Sequence, residues 1–224
     1  MQLLGIEILF EGINMQRLLG GLWVTIRIAV ISVALSMFLG SLIGILAASK
    51  NSALKIACKL YLECVRIIPL IVWLFVFYYG AAKAFGVSWS GGLTGIIVFT
   101  IWGSAEMSDL VRAAVTSLPP HQRQSALALG LNRYQLYVYI IIPQALRRLI
   151  PSAINLVTRM IKTTPLVALI TVVEVLKTGQ QIIEYNVLAN PHAAFWIYGF
   201  VFFAYFIICY PISLASKRLE KKWQ

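Results

Sequence analysis

From Gly20 to Ala48 the chain reads GGLWVTIRIAVISVALSMFLGSLIGILAA, an apolar stretch broken by one charge, Arg27. About 20 helical residues cross the hydrocarbon core of a bilayer, so this run predicts one tilted transmembrane helix. Four more runs follow. They extend from about Tyr61 to Phe85, from about Gly92 to Val115, from Ile140 to Ile161 and from Ala193 to Leu214. The third carries Glu106, Asp109 and Arg112, and the fourth Arg147, Arg148 and Arg159. Only 12% of residues are charged, against about 25% in a soluble domain. Mean hydropathy is +0.83. The expectation is an all-α membrane protein with about five transmembrane helices, residues 1–224 forming a single transmembrane domain. The stretch LVALITVVEVLKTGQQIIEY is too polar to face lipid throughout, and predicts a short helix lying against protein, re-entrant or at the surface.

Charge sets direction. The net charge of +11 sits mostly at the ends of apolar runs, which accounts for it without nucleic acid. Lys50, Lys55 and Lys59 follow the first run. Arg112, Arg123, Arg133, Arg147 and Arg148 cluster between the third and fourth, and Lys217, Arg218, Lys221 and Lys222 close the chain. The other side has Arg17, Lys83, Lys162 and Lys177, offset by Glu7, Glu11, Glu174 and Glu184. The positive-inside rule then predicts an outward N-terminus, a cytoplasmic C-terminus and a cytoplasmic segment between the third and fourth runs. MQLLGIEILFEGINMQ has no basic n-region and reads as a short interfacial segment, not a cleavable signal.

Several residue types read blandly. Cys58, Cys64 and Cys209 are scattered and give neither a disulfide framework nor a metal site. His121 and His192 are isolated. Trp23, Trp89, Tyr185, Trp196, Tyr198 and Trp223, near run ends, read as interface anchors, so membrane lipid is itself a partner. Gly40-x3-Gly44 predicts close helix packing. Arg27 should snorkel to the outer interface. Arg66 should snorkel or meet Glu63 or Asp109, and Asp109 and Arg112, three apart, should pair.

The polar insertion HQRQSALALGLNRYQLYVYIIIP, residues 121–143, is the segment least explained by lipid. Pro119 and Pro120 stop the preceding helix, and Gln122–Leu129 predicts a short one with Gly130 as its C-cap. Asn132 can N-cap the next helix, and Pro143 suits the first turn of the long helix beyond. Ser125, Ala126 and Ala128 are small enough for another surface to approach closely. On these grounds the segment is either a solvated connector or a docking surface.

The spacing here resembles the cytoplasmic signature E-A-A-x3-G-x9-I-x-L-P of permease subunits of bacterial ATP-binding-cassette importers. The chain has Gln124-Ser125-Ala126, three residues, Gly130, nine residues, then Ile140-Ile141-Ile142-Pro143. Gln and Ser replace the first Glu and Ala, and Ile142 replaces Leu. Three further stretches resemble the branch that imports polar amino acids. VRIIPLIVWLFVFYYG is similar to R-G-T-P-L-L, keeping Arg66, Pro69 and Leu70. SDLVRAAVTSLPPHQ is similar to A-E-I-x-R…G-Q, keeping Arg112 and Gln122. IIIPQALRRLIPSAINLVTRMIKTTPLVALI is similar to the fourth span and its K-[DET]-[ST]-x-L turn.

The resemblance implies a type I importer fold in a bacterial cytoplasmic (inner) membrane, multi-pass, with a coupling loop over about 118–140. It implies a separate ABC ATPase subunit that uses ATP and Mg, an extracytoplasmic amino-acid-binding protein, and a second permease chain, identical or paralogous. This chain has no G-x4-G-K-[ST] phosphate loop, so its own cofactor list is empty, and no catalytic or metal residues are assigned. Gln122, Gln124, Ser125, Ala126, Ala128, Leu129, Gly130 and Pro143 are the expected ATPase-coupling residues. An amino acid zwitterion needs an anion or acceptor for its ammonium and donors for its carboxylate. Glu106 with Gly103 and Ser104, and Lys162 with Thr163 and Thr164, are the candidates to line its path. Glu106 has a second reading, an internal ion pair with Arg159 or Lys162. The alternative class is a stand-alone channel or secondary transporter for a small polar solute; the chain shows no convincing internal repeat to favour it. An intramembrane enzyme finds no support in H-E-x-x-H, G-x-S-x-G or paired aspartates.

Overall fold

The computed structural model describes residues 5–49, 51–86, 88–186 and 190–223. Lys50 of the expected inner basic set, and Met1–Leu4 of the expected interfacial start, lie outside them. The described elements are helical. After a 3-10 turn at Ile6–Leu9 come α1 (Asn14–Ala47), α2 (Ser52–Ile67), α3 (Leu70–Phe75), a π segment (Val76–Gly80), α4 (Ala81–Phe85) and α5 (Gly91–Thr116). Then follow α6 (Pro120–Ala128), α7 (Arg133–Gln135), a second π segment (Leu136–Ile141) and α8 (Ile142–Thr163). A 3-10 stretch (Thr164–Ile170), α9 (Val175–Asn186) and α10 (Ala193–Trp223) complete the chain.

Among the described residues, three stretches are long and apolar enough to cross a membrane: Asn14–Ala47, Arg133–Ile170 and Ala193–Trp223. The α2–α3 pair, counted as one broken span, makes four. The expected span that is not among them is the third run, α5. Its 26 residues are long enough, but Glu106, Asp109, Arg112 and several glycines dilute its hydropathy. Protein covers Glu106 together with its neighbours Ser104, Ala105, Met107 and Ser108, all buried, while Asp109 is partly exposed and Arg112 exposed. The second run also begins earlier than its apolarity suggests. Asn51 caps α2, its Oδ1 accepting from the amides of Ala53 (2.9 Å) and Leu54 (3.4 Å), so Lys55 and Lys59 are helical. Pro69 ends the helix by forcing Ile68 into extended geometry (φ −81°, ψ 125°).

The chain divides into two compact units, one holding residues up to Ser32, Leu70–Val98 and Arg159–Pro211, the other holding the rest. In the first, Ile8, Leu9, Leu18, Ile182, Ala193 and Ile197 form one core. The expected interfacial start is therefore a packed one: Ile8 is fully buried, and the Asn14 side-chain amide donates to its carbonyl at 2.8 Å. The mixed stretch becomes the 3-10 segment and α9, and α9 lies against protein as expected, with Val175, Thr178, Gly179 and Ile182 buried. A Cβ on Gly21 of α1 would stand 2.9 Å from the Val175 Cα, so only glycine permits that approach.

Glu174, counted among the outer-side charges and set in the stretch expected to lie against protein, is 0% exposed. Its carboxylate accepts from the amides of Leu176 (2.9 Å) and Lys177 (2.7 Å) at the start of α9. The Thr25 hydroxyl is a third donor, at 3.4 Å. A helix N-terminus has unpaired N–H groups and partial positive charge, which is what a buried carboxylate needs.

In the second unit, α1 packs on α5 through Gly40 and Gly44, as the small-residue spacing predicts. A Cβ on Gly40 would lie 2.5 Å from the Met107 Cβ, and one on Gly44 2.6 Å from that of Val111. The Ser36 hydroxyl lies 3.4 Å from the carbonyls of Phe99 and Thr100, adding a polar contact to the same seam. Pro151 lies inside α8, and its carbonyl accepts from the Ser216 hydroxyl of α10 at 2.8 Å.

Candidate functional site

Helix α6 is fixed at both ends by local chemistry. Pro119 is its N-cap and Pro120 its first residue, where a missing N–H costs nothing. At the other end the Leu131 amide donates to Ala126 (3.1 Å) and the Gly130 amide to Leu127 (3.0 Å). This is the Schellman pair, and Gly130 takes the left-handed conformation it requires (φ +80°). Any side chain there would strain the backbone. Asn132 then caps α7 as expected, in a reciprocal box with Gln135: each side chain bonds the other's backbone amide at 2.9 Å.

Pro143 has a consequence upstream. It cannot donate to Tyr139, and its ring crowds that carbonyl. The chain widens over Leu136–Ile141 into π geometry, in which the Ile142 amide reaches Tyr137. Two arginines tie this elbow down. Arg123 donates to the Tyr137 hydroxyl at 3.1 Å, its guanidinium 5.7 Å from that ring's centroid. Arg148 donates to both the carbonyl and the hydroxyl of Ser117, each at 2.8 Å.

Beneath α6 lies a cluster of Ala114, Leu118, Ala126, Leu136, Ile141 and Ala145. Ala126 is 4% exposed and faces this cluster, so it seats the helix; Gln124, Ser125, Ala128, Leu129 and Gly130 are exposed, as are His121, Arg123 and Leu127. Gln122 is half-buried and Pro143 exposed. Leu129, at 80% exposure, is an apolar side chain held outward by a rigid cap. Ala126→Arg is thus expected to displace α6 and lower thermal stability, whereas Ala128→Arg leaves the melting temperature within about a degree. Differential scanning of the two purified variants checks this. The physical cause is that burying an unpaired charge is costly, while a surface change is worth about 0.5 kcal/mol or less.

Gly103, Ser104 and Glu106 line up on α5 in the second unit. The Tyr61 hydroxyl donates to the Ile101 carbonyl at 2.7 Å and lies 2.8 Å from the Ser104 hydroxyl. Glu106, 7% exposed, accepts from the Arg66 Nε at 2.7 Å. Arg66 also donates to Asp109 at 3.2 Å, and Asp109 pairs with Arg112. The Arg66–Asp109 and Asp109–Arg112 contacts agree with the sequence reading. The Arg66–Glu106 contact was missed, because no local spacing links positions 40 residues apart on two helices.

Lys162, Thr163 and Thr164 belong to the first unit. Lys162 is exposed, the Thr163 hydroxyl donates to the Arg159 carbonyl (2.8 Å), and that of Thr164 donates to Ile161 (2.7 Å). The Thr164 hydroxyl also lies 3.2 Å from that of Tyr205.

Comparison with known proteins places this geometry. Residues 40–224 match the family described as the inner membrane component of binding-protein-dependent transport systems. The chain is 31% identical to the probable glutamine ABC transporter permease protein GlnP of Bacillus subtilis, over 94% of this chain and 97% of that one. It is 29% identical to the L-cystine transport system permease protein TcyB of the same organism, over 91% and 85%. The crystal structure of an amino acid ABC transporter with histidines shares the fold, with TM-score 0.83 over 93% of this chain and 94% of that one, at 24% identity. A multi-pass inner-membrane protein of capped and tightly packed helices, matched over most of its length, this chain belongs to the family of binding-protein-dependent transport system inner membrane components.

Proposed function

We propose that the chain is the permease of an ATP-driven amino acid importer, forming the solute path and coupling to a separate ATPase subunit that hydrolyses ATP with Mg. An extracytoplasmic binding protein delivers the solute, and a second permease chain, identical or paralogous, completes the path. The relatives named for glutamine and cystine transport support the solute class. The N-terminus faces outward and α6 the cytoplasm, on the side of the basic C-terminal tail.

The single observation carrying this reading is the stiffness of α6. It is exposed on one face, seated on a packed cluster on the other, started by Pro119–Pro120 and closed by the Schellman pair at Gly130. A displacement applied to such a helix passes into α5 and α8, which a flexible connector would absorb. The test is the double variant Ser125→Trp/Ala128→Trp, reconstituted with its ATPase and binding protein. Both positions are exposed, so insertion and melting temperature stay unchanged. Solute-stimulated ATP hydrolysis falls roughly tenfold or more, since a steric block at an interface centre costs about 2 kcal/mol or more. Hydrolysis that stays fully coupled to uptake in this variant defeats the proposal.

In this reading Gly103, Ser104 and Glu106, and separately Lys162, Thr163 and Thr164, line the path. Glu106→Gln keeps the volume and one acceptor but removes the charge. Uptake of cationic, neutral and anionic amino acids should then slow unequally; identical kinetics for all three would take Glu106 out of the path.

A further inference from the structure

Helix α2 carries two adjoining exposed stripes of different chemistry. Ile56, Leu60 and Ile67 present an apolar one, each more than 60% exposed. Lys55, Lys59 and Arg66 form the other, and border a cavity of about 510 Å³. The end of α1 at Ala47 and Ala48, and α5 from Ser108 to Thr116, supply its remaining walls. All of these residues belong to the second unit.

The cavity is cationic. Lys55, Lys59, Arg66 and Arg112 line it against Glu63 and Asp109, four positive charges to two negative. The carboxylates do not consume the donors. Asp109 is shared by both arginines, which leaves Arg66 Nη2 and Arg112 Nη1 with N–H groups to give. Lys59 meets Glu63 at 3.6 Å in a largely exposed pair, and Lys55 has no ion pair among the described residues. Converging guanidinium and ammonium groups of this kind recognise a phosphate. A soluble anion would need only the cationic wall. The exposed apolar stripe beside it fits a ligand that is anionic at one end and hydrocarbon at the other, and a basic amphipathic helix is the usual form of such a surface.

We propose that the cavity bounded by α1, α2 and α5 binds the phosphate of an anionic phospholipid, with its acyl chains along Ile56, Leu60 and Ile67. Lys55 and Lys59 are the adjustable ligands, and the arginines, held by Asp109, form the fixed wall.

The experiment uses the full-length chain in micelles, with native mass spectrometry counting bound phosphatidylglycerol against phosphatidylcholine. Each lysine near an anionic lipid surface contributes about fivefold in affinity. Lys55→Gln/Lys59→Gln should therefore weaken phosphatidylglycerol retention roughly twentyfold and leave phosphatidylcholine retention as it was. Lys55→Gln alone, which breaks no ion pair, should give about fivefold. Lys221→Gln/Lys222→Gln removes the same charge from exposed positions at the end of α10 and should change retention less than about twofold. Equal loss in the α2 and tail variants, or no loss in α2, overturns the site. Inorganic phosphate that protects the lipid-free chain from heat as well as phosphatidylglycerol does would overturn the lipid as its occupant.

Discussion

A chain carrying Gly40→Leu and Gly44→Leu is expected to insert into the membrane and fail to reach a heat-resistant fold. Lipid tails are as apolar as side chains, so helices in a membrane associate through close packing at small residues more than through hydrophobic burial. At Gly44 a Cβ would stand 2.7 Å from the Ser108 carbonyl oxygen, and at Gly40 2.8 Å from that of Ser104. Those are backbone atoms of α5 and cannot rotate away, so α1 must move outward and lose the whole seam. Overpacking costs about 1–3 kcal/mol per site, and two backbone collisions in one seam lie at the upper end. Their sum is comparable with the roughly 5–15 kcal/mol that separates folded from unfolded states. A Cβ on Gly20 of the same helix would have nothing within 4 Å, so Gly20→Leu is the control. It should be neutral or stabilise by up to about 1 kcal/mol through helix propensity. Thermal unfolding of the purified variants measures both. Equal melting temperatures for the double variant and the control would mean that α1 and α5 do not meet at these glycines.

Arg66→Met should destabilise the chain by about 2–4 kcal/mol, and Glu106→Leu in the same chain should restore part of that loss. The carboxylate of Glu106 is nearly inaccessible, and a buried charge that loses a close partner loses part of what offsets its desolvation. Arg66 is itself 42% exposed, so its own hydration offsets part of the pairing and keeps the effect below the largest values seen for buried pairs. Removing both charges replaces the pair with apolar contact between α2 and α5, which is often neutral or better. The double-mutant cycle on denaturant or thermal unfolding should give a coupling energy above about 1.5 kcal/mol. Additive losses would mean that the 2.7 Å contact contributes no stability.

The residues that stop and start helices were legible in the sequence because capping is local. Pro119, Pro120, Gly130, Asn132 and Pro143 each act within about four residues, and each occupies the position its chemistry demands. The π segment before Pro143 was not anticipated, although its cause is equally local: a proline without an N–H forces the preceding turn to widen. The polar content of α5 was visible too. The run was read as a span on its apolar first half; what the sequence did not show was the partner that Glu106 finds on α2.

Long apolar runs alone made this chain a bundle of lipid-embedded helices, because only internally hydrogen-bonded backbone can leave water. The small-residue spacing at Gly40 and Gly44, and the caps around α6, were likewise set by local sequence. Tertiary structure decided the rest. It turned Ala126 inward to seat α6 while Ala128 faces out, gave Glu106 to Arg66, and buried Glu174 at the start of α9. These depend on how far each helix is rotated and which helix lies beside it. In a chain apolar on nearly every face, periodicity fixes neither; the packing of distant side chains does.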